Sequence, residues 1–301
     1  MASTTAWGAL QDPYGRIDTP RWIATREMVK REAVEDRIED VCESIGSKLL
    51  TIEEGWRVRE WRGQLELHTR FLWQCIFDAA RFCDKKHKDR LVVQVMLIHG
   101  MGDMIGTEVV DFLPTTERAV VASTSKGVLW SDMPFFVEDM TRLWTLEGAI
   151  MSRTQRRNLS AVLATLGGIG LDDKLCGIGI IVLRETFETP REQGSGDAPD
   201  TEDADRTMDA FTVMDLFDDC AGMWMRKCRD RFKRLSERGF SDFPPEVGRV
   251  GPLAKEAGVP DTGGFSLKRL DFWIRKSGEI YAVKNPNRRV GSQVRWPDDY
   301  F

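Results

Sequence analysis

The sequence predicts an all-α fold, a single-domain multi-helix bundle that carries one disordered acidic insertion. Two observations predict this class. Apolar residues recur at three- and four-residue spacing along most of the chain, which is the pattern of one face of an α-helix. Only one apolar run, LCGIGIIVL (175–183), has the character of a buried strand, and no second strand is predicted that would pair with it. We therefore expect a buried helix there.

The first half of the chain is predicted to form several helices after an N-terminal segment, residues 1–18. Thr19 and Pro20 start the first helix, because a capping residue followed by proline is a typical helix start. TIEE (51–54) fits a capping box for a further helix. A firmer helix is predicted at 65–83, and a shorter one follows it and ends at Gly100, where glycine acts as a C-terminal cap.

The next predicted helix starts at Asp132 and Pro134, with the aspartate as N-terminal cap and the proline in the first turn. Its apolar residues are expected to face the core: Phe136, Met140 and Leu143. Its charged residues fall mostly on the opposite face: Glu138, Asp139 and Arg142. Trp130 precedes the cap and is expected to reach over a neighbouring cavity.

The second half of the chain is predicted to hold four more helices, at 154–168, 172–188, 207–238 and 264–280. Between them, residues 190–206 contain six acidic residues against two arginines, which predicts a disordered loop. The helical domain is therefore placed at 19–283 and is followed by a C-terminal tail, 284–301.

Composition and charge exclude several classes of function. The chain is 42% apolar and 30% charged, which is typical of a globular protein, and its net charge of −5 without a basic stripe argues against nucleic-acid binding. No run reaches the roughly 18 apolar residues of a membrane span, and the first residues predict no secretory signal. Six cysteines without a C-x-x-C pair indicate reduced thiols, and therefore a cytoplasmic protein.

Known catalytic and metal-binding motifs are absent from the sequence. The three histidines lack zinc-site spacing, and DLFDDCAG (215–222) has Ala221 where an aspartate-rich magnesium site needs a carboxylate. HGMGDMIG (99–106) misses the G-x-G-x-x-G dinucleotide fingerprint, and neither G-x-S-x-G nor a P-loop occurs. We therefore expect no metal and no cofactor.

Several short motifs follow one another along the chain. They are the helix FLWQCIFDAARFCDKKHKDRLVVQV, the W-x-D-x-P start at 130–134, RRNLSAVLATL, VLRETFE, CAGMWMRKC and GFSLKRLDFW. Their order resembles that of a fungal family known as domain of unknown function 3632. The resemblance covers about residues 65–280. It departs at Leu270, where the family usually has tryptophan, and in CAGMWMRKC, which is rich in methionine and cysteine where the family has alanine. Members of the family occur beside fungal natural-product genes, which implies that setting loosely.

Two functions are compatible with this sequence. The first is a cofactor-independent small-molecule cyclase or isomerase of fungal secondary metabolism, such as a pericyclase of the Diels–Alderase type. Its aromatic-lined apolar pocket would hold a flexible substrate in the reactive conformer, and orientation alone accelerates reactions strongly. The alternative is a non-catalytic helical scaffold or ligand-binding protein. The ten tryptophans and the atypical core favour the enzyme narrowly.

The candidate catalytic residues are those that would donate a hydrogen bond to a substrate carbonyl: Trp130, Asn158 and Arg184. The candidate substrate-binding residues are mostly apolar or aromatic: Trp130, Phe136, Met140, Glu188, Trp224 and Trp273. Arg184 and Glu188 are four residues apart, which predicts an ion pair that is either structural or a polar anchor in a pocket. The expected ligand is a hydrophobic small molecule with a carbonyl-type group, and a homodimer is compatible with the sequence.

Overall fold

A computed structural model describes residues 19–35, 37–57, 64–105, 123–197 and 199–284. Helices make up most of these ranges, and their only sheet is one two-stranded hairpin, so the predicted all-α fold is confirmed. The described residues form two compact units, one that ends at Leu146 and one that starts at Glu147. The predicted N-terminal segment and nearly all of the predicted tail lie outside the described residues, and the domain limits 19–283 stay a prediction.

The first unit contains five helices in its described residues. They are α1 (Thr19–Val34), α2 (Ile38–Arg57), α3 (Leu65–Phe82), α4 (Lys88–Ile105) and α5 (Phe136–Glu147). α3 is the centre of the unit, because it packs against α1, α2 and α4 and is buried along most of its length. Between α4 and α5 lies the hairpin of β1 (Ser123–Thr124) and β2 (Gly127–Val128).

Two predicted helix ends in this unit are wrong. The TIEE stretch does not begin a helix, since α2 runs through it as far as Arg57. Gly100 does not end one either, because α4 continues to Ile105. In both places the residues on either side of the local capping signal continue the helical pattern. The helix therefore runs through the signal.

The second unit is built mostly from shorter helices. They are α6 (Arg153–Ile169), α7 (Cys176–Leu183), α8 (Val213–Leu216), α9 (Gly222–Lys227), α10 (Arg229–Glu237), α11 (Pro245–Gly248), α12 (Pro252–Glu256) and α13 (Leu267–Lys284). The predicted buried helix at 175–183 is confirmed, since every residue of α7 is buried. The single helix predicted at 207–238 is instead α8, α9 and α10 in succession.

Two π-helical turns, each with a buried acid, interrupt the helices of the second unit. One follows α7 at Arg184–Glu188, and the other joins α8 to α9 at Phe217–Ala221. Their buried carboxylates are Glu188 and Asp219. A π turn adds one residue to a helical turn and redirects the side chains that follow it, and such turns are frequent at functional sites.

The acidic segment 190–206 contains no helix or strand in its described residues, as a loop should, yet it is attached to the start of α6. The backbone N–H of Thr154 donates to Asp200 Oδ1 over 2.8 Å, and Asp203 N–H donates to the Ile150 carbonyl over 3.0 Å. Arg206 Nε donates to the Ala149 carbonyl over 2.7 Å. The acidic composition predicted none of these contacts, and the mobility of the segment stays a prediction.

Candidate functional site

Residues 130–144, here called the tryptophan segment, combine backbone strain with burial. Trp130, Met133 and Phe135 adopt φ angles of 66°, 46° and 66°, a left-handed conformation that bulky side chains rarely tolerate. All three side chains are buried. Each such residue costs on the order of 1–3 kcal/mol, and strain of this kind persists at sites where function needs it. The tryptophan segment is therefore a candidate functional site.

Asp132 stabilises the hairpin before this segment and does not cap α5. Its Oδ2 accepts a hydrogen bond from the backbone N–H of Val128 over 2.7 Å. α5 begins four residues later at Phe136, so the predicted capping role of Asp132 is wrong. Gly127 is required beside it, because a Cβ at Gly127 would lie 2.5 Å from the Asp132 carboxylate. Residues 133–135 separate the aspartate from the helix it was expected to cap.

The aromatic side chains of the segment pack against Trp73 of α3. The Trp73 ring contacts Trp130 edge-on at 6.2 Å and Phe136 at 5.1 Å between centroids. Its indole N–H donates to the Pro134 carbonyl over 2.7 Å. Unlike the Trp73 indole, the indole N–H groups of Trp130 and Trp144 find no acceptor among the described residues, although both are buried. A buried donor without a partner costs about 1–3 kcal/mol, so each of these indole N–H groups requires an acceptor other than the described protein atoms.

Asp139 of α5 is a buried carboxyl group that the sequence placed on the wrong face. It was expected to lie opposite the core, but its exposure is 0%. Its Oδ1 accepts a hydrogen bond from Arg70 Nη1 of α3 and lies 3.7 Å from Arg142 Nε. Its Oδ2 has no partner among the described residues. Burial raises the pKa of Asp139 to about 6, and the charges of Arg70 and Arg142 oppose that rise.

Arg70 joins these parts of the segment. Its guanidinium lies 4.0 Å from the centre of the Phe135 ring, and it also forms an ion pair with Glu138 over 2.8 Å. One side chain of α3 thus holds a strained residue and the buried acid together. A carboxyl group with a pKa near 6 and one unpartnered oxygen can take up or release a proton near neutral pH. Sequence reasoning missed Arg70, because nothing local links it to a residue 69 positions away.

Glu188 and Trp273, two of the predicted ligand contacts, meet in the second unit. Glu188 Oε1 accepts from Arg269 Nε and from the Trp273 indole, both over 2.7 Å. Its Oε2 accepts from Arg269 Nη2 over 3.0 Å and from the Gly251 backbone N–H over 2.6 Å. Arg269 also donates to three backbone carbonyls, those of Gly248, Arg249 and Gly264. We call this group the Glu188–Arg269 cluster.

The polar atoms of this cluster are fully paired. Both oxygens of Glu188 accept two hydrogen bonds, and all the N–H groups of Arg269 donate one. Arg269 was missed from the sequence, although a signal was present: it lies four residues before the buried Trp273 and so on the same face of α13. A fully paired ionic group fixes the packing of the elements it joins and leaves nothing for a ligand.

Arg184 does not pair with Glu188, so the expected ion pair is wrong. Arg184 Nη1 donates to the carbonyls of Glu246 and Val247 over 3.1 and 2.8 Å. Glu188 is directed elsewhere because Arg184 opens a π turn, in which the Arg184 carbonyl accepts from Thr189, five residues on, rather than from Glu188. Arg184 Nε has no hydrogen-bond partner among the described residues. Burial, above all, lowers the pKa of Arg184.

The remaining candidates of the second unit are buried. Trp224 stacks on Phe232 with the ring centroids 6.4 Å apart, and Phe232 in turn lies 6.2 Å from Trp273. The Trp224 indole N–H has no acceptor among the described residues. Asn158 is 6% exposed on α6. A hydrogen bond and ring contacts through Phe232 therefore link Glu188, Trp273 and Trp224. Arg184 and Arg269 both donate to backbone carbonyls of residues 246–249.

The candidate residues are divided between the two units. Trp130, Phe136 and Met140 belong to the first, and all three are buried. Asn158, Arg184, Glu188, Trp224 and Trp273 belong to the second. A cavity shared by Trp130, Arg184 and Trp224 stays a prediction. Within the described ranges, no group of His, Cys, Asp and Glu side chains is arranged to hold a metal, and no helix has the length and apolarity to cross a membrane.

The motifs that carry the family resemblance include those that build the Glu188–Arg269 cluster. VLRETFE contributes Glu188, and GFSLKRLDFW contributes Arg269 and Trp273. The model of the family described as "Protein of unknown function (DUF3632)" matches residues 73–276. The chain belongs to this family. In this chain, two distant motifs of the resemblance thus supply the two halves of one buried ion pair.

A curated fungal protein is similar to this DUF3632 chain. It is "Oxopyrrolidines biosynthesis cluster protein G" of Penicillium oxalicum, which is 33% identical over 225 residues. The match covers 72% of this chain and 60% of the relative, so the chain spans less than two thirds of that protein. No solved structure matches the chain significantly.

Proposed function

We propose that this protein is a cytoplasmic, cofactor-independent isomerase or cyclase of fungal secondary metabolism, with its site in the tryptophan segment. One observation carries the proposal: the buried indole N–H donors of Trp130 and Trp144 lack acceptors among the described residues, and Trp130 lies in the strained turns that precede α5. A stable core has no reason to bury such donors in a strained conformation. A bound substrate that accepts from them would give both features a purpose.

The same geometry supports catalysis by orientation and by electrostatic stabilisation. Donors fixed in an apolar site stabilise negative charge that develops on a carbonyl oxygen, and they need no rearrangement to do so. Phe136 and Met140, which are buried in the same segment, would form the apolar wall. Such a site can accelerate a cyclisation, including a pericyclic one, by holding a reactive conformer.

The relative's name supports the chemical class of the ligand. An oxopyrrolidine is a five-membered nitrogen heterocycle that carries a carbonyl group, and protein G is named for a cluster that makes such compounds. The proposed ligand of this chain is therefore a hydrophobic small molecule with a ketone or lactam carbonyl. The second-unit candidates Arg184, Asn158 and Trp224 stay ligand contacts predicted from the sequence; Arg184 Nε lies 3.7 Å from Glu185 Oε1, and the Trp224 indole N–H has no acceptor among the described residues.

The test begins with deletion of the gene in its native fungus and comparison of metabolite extracts by mass spectrometry. The compound that accumulates is purified and incubated with the protein. We expect a product of the same mass, because isomerisation and cyclisation without loss conserve atoms, and we expect EDTA to leave the rate unchanged. Trp130→Phe should lower the rate at least tenfold. Trp22→Phe, which changes a buried tryptophan outside the segment, should leave it unchanged.

Two results would contradict this proposal. If the purified protein converts nothing that accumulates, the alternative of a non-catalytic scaffold or binding protein is favoured, and the fully paired Glu188–Arg269 cluster already suits such a role. If Trp130→Phe lowers the melting temperature but leaves turnover intact, Trp130 is a core residue and the site lies elsewhere.

A further inference from the structure

We propose that Asp139 is the proton-transferring residue of this site and that the substrate is a carbonyl compound with a C–H bond next to the carbonyl. This inference rests on the proposed function and deepens it. The geometry is that of a positioned base. Arg70 holds Oδ1 of Asp139, and Oδ2 is buried without a partner among the described residues.

Both arginines near Asp139 contact its Oδ1, which leaves Oδ2 for the substrate proton. Arg70 approaches from α3, and Arg142 and Glu138 approach from α5 itself. Arg70 also contacts Glu138, so its charge is shared between two carboxylates. Burial then outweighs the arginines and raises the pKa of Asp139 to about 6, where the ionised form is present at neutral pH and still accepts a proton readily.

The strained turns beside Asp139 suggest how a substrate reaches it. The side chain has no exposed surface, so a substrate must displace part of the polypeptide that covers it. Residues 130–135 are suited to move, because three of them leave an unfavourable conformation when they do. Phe135, which lies on the Arg70 guanidinium, belongs to both the strained turns and the charged group.

The proposed step balances without an oxidant or reductant. Ionised Asp139 Oδ2 removes a proton from the carbon next to the carbonyl, so that the C–H bond breaks and an O–H bond forms. The electron pair moves to the carbonyl oxygen as an enolate, which accepts hydrogen bonds from the indole N–H groups of the segment. The proton then returns to the oxygen, which gives the enol, or, where a C=C bond is conjugated with the enolate, to the far carbon of that conjugated system, and Asp139 is ionised again. The net change is an isomerisation.

The variant that tests this step is Asp139→Asn, assayed on the compound purified from the deletion strain. Asparagine keeps an oxygen that accepts from Arg70 but cannot take up a proton. We expect turnover to fall about 100- to 10,000-fold, the usual contribution of a general base. Asp89→Asn is the matched control, because it makes the same chemical change at an exposed aspartate of α4, away from Asp139 and Arg70. Its turnover should match that of the unaltered protein.

A pH profile of the unaltered protein gives a second measurement that needs no variant. If Asp139 acts as a base, kcat/KM should rise tenfold per pH unit below about 6 and level off above it. Full activity of Asp139→Asn together with a flat profile would overturn the role of Asp139 and leave the proposed function standing, as for a pericyclic reaction without proton transfer. Absence of any conversion by the unaltered protein would instead overturn the proposed function itself.

Discussion

Two buried acids of this protein, Glu188 and Asp139, have the same exposure but opposite surroundings. Both carboxylates are 0% exposed and contact an arginine. Glu188 accepts four hydrogen bonds and lies in a network whose partners are also paired. Asp139 keeps one oxygen without a partner among the described residues, and its backbone N–H donates to the carbonyl of Phe135, a residue with strained backbone. The difference separates a carboxylate that holds elements together from one that is available for chemistry.

The comparison shows why burial alone is a poor guide to a functional site. A buried charge is tolerated either because its partners satisfy it or because another requirement keeps it there. Glu188 fits the first case and Asp139 the second. Glu188 and Trp273, which were selected from the sequence as ligand contacts, belong to the fully paired Glu188–Arg269 cluster. Asp139, the acid proposed to transfer a proton, was instead expected on the surface.

The largest effect is expected from Arg269→Met. It leaves Glu188 buried without its charged partner, and removal of one half of a buried ion pair costs about 3–5 kcal/mol. The free energy of unfolding, measured with urea, should fall by that amount. Arg275→Met on the same helix is the control, because Arg275 is 55% exposed and its only ion pair, to Glu279 within the described residues, spans 4.0 Å. Equal losses in the two variants would refute the structural role of the cluster.

Asp139→Asn should instead raise the free energy of unfolding. The pKa of Asp139 is raised from 3.8 to about 6 in the folded protein, so folding favours its protonated form. The stability that this protonation provides is complete below about pH 4 and is lost as the pH rises through about 6. We therefore expect Asp139→Asn to be about 1–3 kcal/mol more stable than the unaltered protein at pH 7.5, with the difference vanishing near pH 4. Urea unfolding at several pH values measures it, and a loss of stability at pH 7.5 would contradict the prediction.

A smaller difference is expected between two tryptophans in contact. Trp73→Phe removes the hydrogen bond to the Pro134 carbonyl, whereas Trp130→Phe removes an N–H that has no acceptor among the described residues. Both changes keep most of the apolar volume. Trp73→Phe should therefore lower the free energy of unfolding by about 1 kcal/mol more than Trp130→Phe does. If Trp130→Phe is the more damaging of the two, its indole N–H is paired in solution.

The smallest effect is expected from Asp132→Ala. As a helix cap it would contribute about 1 kcal/mol, but here it accepts one exposed hydrogen bond in a hairpin. We expect a loss of about 0.5 kcal/mol or less. Circular dichroism should show unchanged helix content, and a loss of helix would restore the capping role.

The sequence predicted most helices correctly because their signals are local. The buried helix α7 is an example, since an apolar run without a partner strand left few alternatives. The pattern failed at Glu188, because a π turn changes the rotation per residue and no residue type marks such a turn. It failed at Asp139 because an amphipathic pattern assigns charged residues to solvent. The arginine that makes burial of Asp139 tolerable comes from a helix 69 residues away.

The Glu188–Arg269 cluster also has a consequence for the way this chain is made. Translation completes α7 and its following turn long before it reaches α13, where the arginine that neutralises Glu188 resides. Until then, Glu188 must stay hydrated, and the carbonyls of Gly248 and Arg249 lack the hydrogen bonds that Arg269 donates. The second unit should thus finish folding only after α13 has been synthesised, and nascent chains stopped before α13 should depend on chaperones that protect apolar surface.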